Sequence, residues 1–547
     1  MRTPPRLFAC LLLLGGCGPE ETLEPAELDE VCGTSGPFRV LALAPDERLW
    51  DWPIQVGDRV LYLVGRFGTF APDAPSFPLL GTTVWSTGPC GESPVQIATG
   101  IDRIFTVDAW PGVPLGCIRE TGDVVSLDPT GARPPHVVFP DVPGTFDCGL
   151  RWTKHGLLSV TEHDEELGAL ELHPYPTDPY SETATPVTLL DPVQISHKNR
   201  SGPGFIGWVL QSYEDFALAL TADDTLVRVD LADRTVTELR AGVGMFDASR
   251  EGNYVLWQDP IDDLAKHESY PVGAVSLRDM TTGTDTPIAE TSLRYSISPA
   301  RWADEGALQL TLGPPFDGSP TRVLHLPGLE SIDIGGGAYL IAPVDAERWI
   351  SVPLAGSGVD MLDPQNRTRR SLFDRGNSVL HFEPDAVLTL DTPYCCIVGS
   401  PRDEGPVWRL PFDSSPPQRL ARRATRYLSV LKDGRLVTPL AIDTQMLGTL
   451  AIVDPDTQEE RQIDDRVFVH AIDISRSATD NVLRYSVADG ARSGVYLVRL
   501  PARESPRRAA SGPSPDPAIT VEWIDGPDGP RIDVRAADEP RADPRLR

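Results

Sequence analysis

The chain has 547 residues, of which 49 are Lys or Arg and 79 are Asp or Glu, so its formal net charge at pH 7 is −30. A chain this acidic repels phosphate backbones and anionic lipid headgroups. The charge therefore argues against nucleic-acid binding and against membrane attachment through basic patches.

Residues 1–16 have the layout of a secretory signal peptide. Arg2 and Arg6 supply the positive charge near the start of the chain. Residues 7–14 (LFACLLLL) then form an apolar run of eight residues. This run is too short to cross a bilayer, because a spanning helix needs about 20 apolar residues. Two glycines and Cys17 follow it directly.

The stretch LGGC at residues 14–17 resembles the lipobox of bacterial lipoproteins, which has an aliphatic residue, two small residues and a cysteine. The resemblance implies a diacylglycerol on the sulfur of Cys17, cleavage just before it, and a further acyl chain on the new amine. Such a protein is held stably, since two or more acyl chains anchor a protein where one binds only marginally. The alternative is an ordinary secretory signal in which Cys17 is incidental.

The residue after Cys17 is Gly18. In enterobacterial lipoproteins an Asp at that position favours retention in the inner membrane, so the resemblance implies sorting to the outer membrane. Residues 18–30 (GPEETLEPAELDE) are acidic, contain two prolines and have few large apolar side chains, which is typical of disorder. Residues 17–31 are therefore predicted to be a lipidated N-terminus and a flexible acidic tether, with a reach of about 20 Å as a coil.

Cysteine usage agrees with export. When Cys10 and Cys17 are set aside, six cysteines remain, and an even number in an exported chain allows three disulfides. The candidates are Cys32, Cys90, Cys117, Cys148, Cys395 and Cys396. The first four are predicted to staple the N-terminal part of the chain. For the adjacent pair, a vicinal disulfide would strain the peptide bond between them, so separate partners and free thiols are open as well. No cysteine spacing resembles a zinc site.

Residues 32–500 are predicted to be all β, because short apolar runs bounded by Gly, Pro, Asp and Asn recur along this region. Several segments share one pattern of an apolar strand, an Asp, a short polar turn and a second strand, as in LVRVDLADRTVTEL (226–239). The aligned acids are Asp128, Asp230, Asp279, Asp363 and Asp454. Their spacing fits a repeat of about 47 residues, which is close to one four-stranded propeller blade.

The chemistry of this pattern explains why it recurs. An Asp at the first position of a turn accepts hydrogen bonds from backbone amides two or three residues further on, and a following Pro presets the backbone angle. The five aspartates are therefore predicted to cap hairpins. The repeated pattern resembles the propeller repeats of the TolB and WD40-like group, although no Trp-Asp dipeptide closes the blades.

We predict one closed ring of about eight blades, while the repeat register allows seven to ten. A closed ring leaves only short, protected strand edges. Strands near residues 35–65 are expected to complete the last blade beside VYLVRL (495–500). Residues 501–518 are rich in Pro, Arg and Ser and are predicted to be a linker. Residues 519–547 are predicted to be a C-terminal hairpin followed by a disordered tail.

The sequence contains no nucleophile elbow, no phosphate loop, no dinucleotide fingerprint and no zinc-protease motif. We therefore predict no catalytic residues and no cofactor, and interpret the chain as not being an enzyme. The weak candidates for a metal site lie in EHDEELGALELH (162–173). They are Glu171, His173, His163 and Asp164. A solvated acidic turn is the simpler interpretation of this stretch, so we predict no metal site.

The function predicted from these features is that of a lipid-anchored module of the bacterial cell envelope. Its propeller would bind an envelope protein, a peptide or a glycan without catalysis. Two alternatives remain: a propeller enzyme that acts on glycans or peptides at the cell surface, and a structural component of the envelope. The fold alone does not choose among them, because propellers support all three roles.

Overall fold

The computed structural model is built almost entirely from antiparallel strands. It describes residues 23–68, 79–142, 151–163, 167–195, 210–249, 251–259, 272–293, 301–303, 307–311, 320–336, 339–344, 348–353, 358–363, 366–375, 378–392, 404–474, 481–503, 519–526 and 529–536. Within these ranges the helical structure is one 3-10 turn, Gly490–Arg492.

The N-terminal part contributes four short strands and then a five-stranded sheet. The short strands are β1 (Glu24–Pro25), β2 (Glu30–Val31), β3 (Thr34–Ser35) and β4 (Phe38–Ala42). The five-stranded sheet contains β5 (Glu47–Leu49), β6 (Ile54–Val56), β7 (Arg59–Phe67), β8 (Leu79–Thr87) and β9 (Val95–Thr99). Both β5 and β6 pair with β7, so together they form one interrupted first strand.

Seven four-stranded sheets follow in the described part of the chain, each with its strands in sequence order. The first three are formed by β10 (Arg103–Thr106), β11 (Pro114–Ile118), β12 (Asp123–Ser126) and β13 (His136–Phe139); by β14 (Arg151–Trp152), β15 (Gly156–Glu162), β16 (Leu167–Pro174) and β17 (Val187–Gln194); and by β18 (Leu210–Ser212), β19 (Phe216–Leu220), β20 (Leu226–Asp230) and β21 (Val236–Arg240).

The next four sheets repeat this arrangement. They are formed by β22 (Met245–Ala248), β23 (Tyr254–Gln258), β24 (Val272–Asp279) and β25 (Thr284–Leu293); by β26 (Arg301–Ala303), β27 (Ala307–Thr311), β28 (Pro320–His325) and β29 (Ser331–Gly336); by β30 (Tyr339–Pro343), β31 (Trp349–Pro353), β32 (Val359–Asp363) and β33 (Thr368–Phe373); and by β34 (Ser378–Glu383), β35 (Ala386–Leu390), β36 (Gly405–Pro411) and β37 (Gln418–Ala424).

An eight-stranded sheet completes the series. Its C-terminal strands are β38 (Ser429–Val430), β39 (Leu436–Leu440), β40 (Leu447–Val453), β41 (Glu460–Ile474), β42 (Val482–Val487) and β43 (Gly494–Arg499). The remaining strands of this sheet are β4, which pairs with β43, and β1, which pairs with β41. Farther along the chain, β44 (Ile519–Gly526) and β45 (Gly529–Ala536) form the predicted antiparallel hairpin.

Alternate residues of a strand pack on different neighbouring sheets. In β7, Tyr62 and Val64 belong to a cluster with Leu497 of the eight-stranded sheet. The intervening Leu61 and Leu63 pack in another cluster with the following sheet. Both faces of the sheet are therefore buried, as they are in a ring of radially packed blades, and the outermost strands, such as β21, are largely exposed.

The fold is a β-propeller, which confirms the predicted class. The predicted closure is also present, because β4 pairs antiparallel with β43 from Phe38↔Leu497 to Ala42↔Gly494. The N-terminal strand thus completes the sheet that contains VYLVRL. The number of about eight blades stays a prediction.

The five repeated aspartates cap turns, as their local sequence predicts. In the turn after β20, Asp230 Oδ1 accepts a hydrogen bond from the backbone amide of Ala232 at 3.0 Å. The other four make equivalent bonds to amides two or three residues on. These turns join the third strand to the fourth strand of five of the sheets, so they lie on one side of the ring, which we call the turn face.

Residues 24–32, which we call the N-terminal strap, lie against the turn face. Glu24 and Pro25 pair with Arg461 and Gln462 of β41, and Asp29 forms a bridge with Arg499. Ala26 and Leu28 pack on the apolar cluster of the eight-stranded sheet. The sequence predicts a flexible tether over residues 17–31, whereas the structure places residues 24–31 on the propeller. The difference arises because Ala26 and Leu28 pack on an apolar surface. In addition, the outer edge of β41 is open to pairing with Glu24 and Pro25.

The strap ends in a disulfide, Cys32–Cys90, with a Cα–Cα distance of 5.6 Å. Cys90 lies between β8 and β9, in the connection from third to fourth strand of the five-stranded sheet. The strap therefore runs from the eight-stranded sheet to the next sheet and covers the junction where the ring closes.

The C-terminal segment is held on the same face. The side chain of Arg503 binds Asp454 at 2.9 Å and Asp456 at 2.6 Å. Residues 501–503 of the predicted linker therefore reach the turn that precedes β41. Both ends of the propeller meet at the turn face of the eight-stranded sheet.

Candidate functional site

A long connection distinguishes the sheet formed by β14 to β17. Residues 175–186 join its third and fourth strands, whereas residues 231–235 are enough to join β20 to β21. The connection is held by its own carboxylates. Asp178 accepts hydrogen bonds from the amide of Tyr180 at 3.0 Å and the hydroxyl of Ser181 at 2.6 Å. Glu182 accepts one from the amide of Thr177 at 2.8 Å.

This connection also binds the preceding sheet. The amide of Ala184 donates a hydrogen bond to the carbonyl of Val138 at 2.8 Å. The hydroxyl of Thr183 donates one to the carbonyl of Val137 at 2.9 Å. The connection thus covers the open edge of β13, where the backbone groups of an outer strand would otherwise be unpaired.

An aromatic cluster lies between the same two sheets at the turn face. The ring of Tyr175 lies 5.0 Å from the ring of Trp110, and it stacks on Trp152 with a centroid distance of 6.2 Å. Its hydroxyl donates a hydrogen bond to the carbonyl of Thr153 at 2.8 Å. Burial, followed by the charge of Asp108, raises the pKa of Tyr175 to about 12. The contacts with the two tryptophans and the hydrogen bond to Thr153 orient the ring.

A solvent-open groove of about 450 Å³ lies over this cluster. Its walls come from the start and the end of the long connection. They are Pro174, Tyr175, Pro176, Thr177, Glu182, Thr183, Ala184 and Thr185. An aromatic ring, two prolines and several hydroxyl groups are suited to stacking and hydrogen bonding with an elongated ligand.

This groove is not evident from the repeat pattern. That pattern has a short polar turn between its two strands, whereas residues 175–186 form a long loop at this point. The available signal was its length together with the alternation of Pro, Tyr and Thr in PYPTDPYSETATP (174–186). That signal does not show which neighbouring sheet the loop meets.

His173, which precedes Pro174 of the groove, contacts Ser159. His173 Nε2 and Ser159 Oγ are 2.8 Å apart. Both residues are buried, with His173 2% and Ser159 5% exposed. The pair is a cross-strand contact between β15 and β16 that a substrate would not reach, so it does not form a nucleophile and its base.

Burial lowers the pKa of the His173 imidazole below its ordinary value. The folded protein thus holds this ring neutral, while the unfolded chain takes up a proton near pH 6.5. Stability that is present above that pH is expected to be lost as pH falls through it, at no more than about 1.4 kcal/mol per pH unit. In His173→Gln this component should disappear, so the unfolding free energy should fall less on acidification. Urea unfolding across that pH range gives the free energy of unfolding of the wild-type protein and of the variant. The same pH dependence in both would contradict a neutral, buried His173.

Among the other residues of the predicted weak metal site, Glu171 and His163 have separate partners. Glu171 accepts a hydrogen bond from the Thr161 hydroxyl at 2.6 Å. His163 contacts Asp191 at 2.9 Å, and Asp164 lies outside the described residues. Across the described ranges, no group of three or more His, Cys, Asp or Glu side chains is placed to hold a metal ion.

The cysteine predictions are answered in part. Cys32 pairs with Cys90, and Cys117 is also disulfide-bonded. Cys148, Cys395 and Cys396 lie outside the described residues, as does Cys17, the predicted lipidation site. In the described part of the chain, no helix has the length and apolar character needed to cross a membrane.

A buried carboxyl, Asp464, lies in β41. It accepts a hydrogen bond from the Tyr485 hydroxyl at 2.9 Å and pairs with Arg492. Burial raises the pKa of Asp464, although these partners oppose the shift. Because the carboxylate is saturated by side chains of the same sheet, this cluster joins β41 to β42 and the turn beyond it.

Comparisons with known proteins identify no family for this chain. No protein-family model matches the chain, and no curated protein matches it. Among solved structures, it is similar to oligogalacturonate lyase from Vibrio parahaemolyticus, with 12% identity, a TM-score of 0.26, and coverage of 73% of this chain and 96% of that one. It is also similar to BamB from Moraxella catarrhalis, with 13% identity, a TM-score of 0.26, and coverage of 65% and 97%. The C-terminal WD40 domain of Sif2 matches with 10% identity, a TM-score of 0.26, and coverage of 64% and 94%.

Proposed function

We propose that this chain is a membrane-anchored bacterial lipoprotein whose β-propeller is a noncatalytic binding module of the cell envelope. The observation that carries the binding role is the groove over Tyr175. It is open to solvent, and its aromatic lining residue, Tyr175, is held in place by packing on tryptophans from two sheets. A preformed aromatic surface lowers the entropic cost of binding.

The chemistry of the groove favours recognition over catalysis. Its acidic side chain, Glu182, is engaged by the amides of Thr177 and Asp178. Ser159 and His173 are buried and do not line the groove. The Thr183 hydroxyl is bonded to the Val137 carbonyl. The groups left to face a ligand are therefore a ring, prolines and the hydroxyls of Thr177 and Thr185, which make contacts and donate hydrogen bonds.

These groups suit a peptide or a glycan, and an envelope protein would be bound through an exposed segment of the same kind. The net charge of −30 disfavours nucleic acid as a partner. The anchor in this proposal is acyl chains on Cys17, and Gly18 after it favours the outer membrane over the inner one.

Thr177→Arg should weaken ligand binding at least tenfold, because Thr177 is exposed in the groove wall and the longer side chain fills the groove. The matched control is Thr237→Arg, which adds the same side chain to the exposed outer strand β21. Peptide and envelope-glycan libraries would be screened with the wild-type protein, and each hit titrated against both variants.

Equal affinities for the two variants, or no hit in either library, would contradict the proposal. The masses of the recovered ligands are also measured by mass spectrometry. Intact ligands support a binding module, whereas shortened or eliminated products would favour the alternative of a propeller enzyme.

A further inference from the structure

The N-terminal strap determines where the chain leaves the propeller. Its first paired residue, Glu24, lies opposite Arg461, which is the second residue of β41 and directly follows the Asp454 turn. The bridge between Asp29 and Arg499 and the disulfide to Cys90 lie at the same face. Three separate contacts therefore hold the strap at the turn face.

The chain before the strap is short. Five residues, 18–22, separate Cys17 from Leu23. Six backbone steps extend to at most about 20 Å, and a coil of that length spans about 13 Å on average. The opposite face of the same sheet lies across β40, a strand of seven residues, which is about 23 Å long. A linker this short does not let the propeller turn its opposite face to the membrane.

We infer that the turn face of the eight-stranded sheet lies against the lipid surface, and that the connections on the opposite face stand away from it. This inference rests on the proposed lipidation of Cys17. The turn face carries many aspartates, so it should be held near zwitterionic headgroups by the short linker and not by charge attraction.

Two exposed positions at the ends of β40 test the orientation. Thr457 lies in the turn that follows β40, on the turn face, and Gln445 lies in the turn that precedes it. A fluorescent amino acid would replace each in turn, so that no new thiol is introduced. The full-length lipoprotein would then be placed in phosphatidylcholine nanodiscs with an acceptor dye on a fraction of the headgroups.

Energy transfer to the lipid is expected to be higher from position 457 than from position 445. Equal transfer, or higher transfer from position 445, would overturn the orientation while leaving the anchor intact. Mass spectrometry of the same samples tests the lipid anchor separately from the orientation. If Cys17 carries no acyl chain, the anchor fails and the orientation fails with it.

Discussion

Replacing both Cys32 and Cys90 with serine should lower the free energy of unfolding by about 4 kcal/mol, which is the chain-entropy estimate for a loop of this size. The two residues are 58 positions apart, and their disulfide joins the strap to the sheet that follows the closure. Urea unfolding followed by near-ultraviolet circular dichroism measures the loss. Thr34→Ala, at an exposed neighbouring position, is the matched control and should leave the midpoint nearly unchanged.

The effect should be large because the disulfide lies at the point where the ring closes. Without it, β4 is held in the eight-stranded sheet by its pairing with β43 and by local packing alone. Loss of the bond should therefore also raise amide hydrogen exchange in β4 before other strands respond. A double variant with the stability and exchange of the wild-type protein would show that the bond does not secure the closure.

Cys17→Ser should abolish lipid attachment and move the protein from the membrane fraction to the aqueous fraction. Acyl chains supply about 0.8 kcal/mol for each buried methylene, and a chain with a net charge of −30 is not drawn to anionic lipid in their place. Metabolic labelling with an alkyne fatty acid, followed by fractionation, measures both results.

Cys10→Ser is the matched control for this variant, because it removes a thiol from the apolar run and leaves LGGC intact. It should be labelled like the wild-type protein. Label that persists in Cys17→Ser, or a wild-type protein without label, would remove the anchor from the proposal.

Features that depend on neighbouring residues were predictable from the sequence. The turns at Asp230 and the other repeated aspartates follow from a carboxylate and the amides two or three positions on. The apolar runs also predicted the strands. Their side chains are buried in the propeller whichever sheet packs beside them. The closure by β4 was predictable because a ring needs a partner for its last strand.

Apart from the closure by β4, which follows from the ring itself, features that depend on distant partners were not predictable. The strap is acidic and contains Pro25, so its composition predicts disorder. Ala26 and Leu28 nevertheless bury against a cluster formed by residues more than 400 positions away. The groove over Tyr175 also needs two sheets to meet, and its aromatic partners Trp110 and Trp152 come from different repeats.

The metal candidates illustrate the same limit. Glu171 and His173 lie on one face of a strand, as the sequence suggests. Their partners come from the adjacent strand β15, where Thr161 and Ser159 face them. Hydroxyl groups of the neighbouring strand therefore bond the Glu171 carboxylate and the His173 imidazole. From the sequence spacing alone, both groups look available to a metal ion.

The fifteen-residue strand β41 is shared by two parts of the last sheet. Its first residues pair with β40 and its last residues pair with β42. Elsewhere successive sheets have separate strands, so a whole repeat there can in principle be gained or lost through a recombination in the connecting segment. At β41, deletion of either repeat would cut a strand of the other. The final two repeats should therefore be inherited as one unit, and variation in ring size should arise elsewhere in the chain.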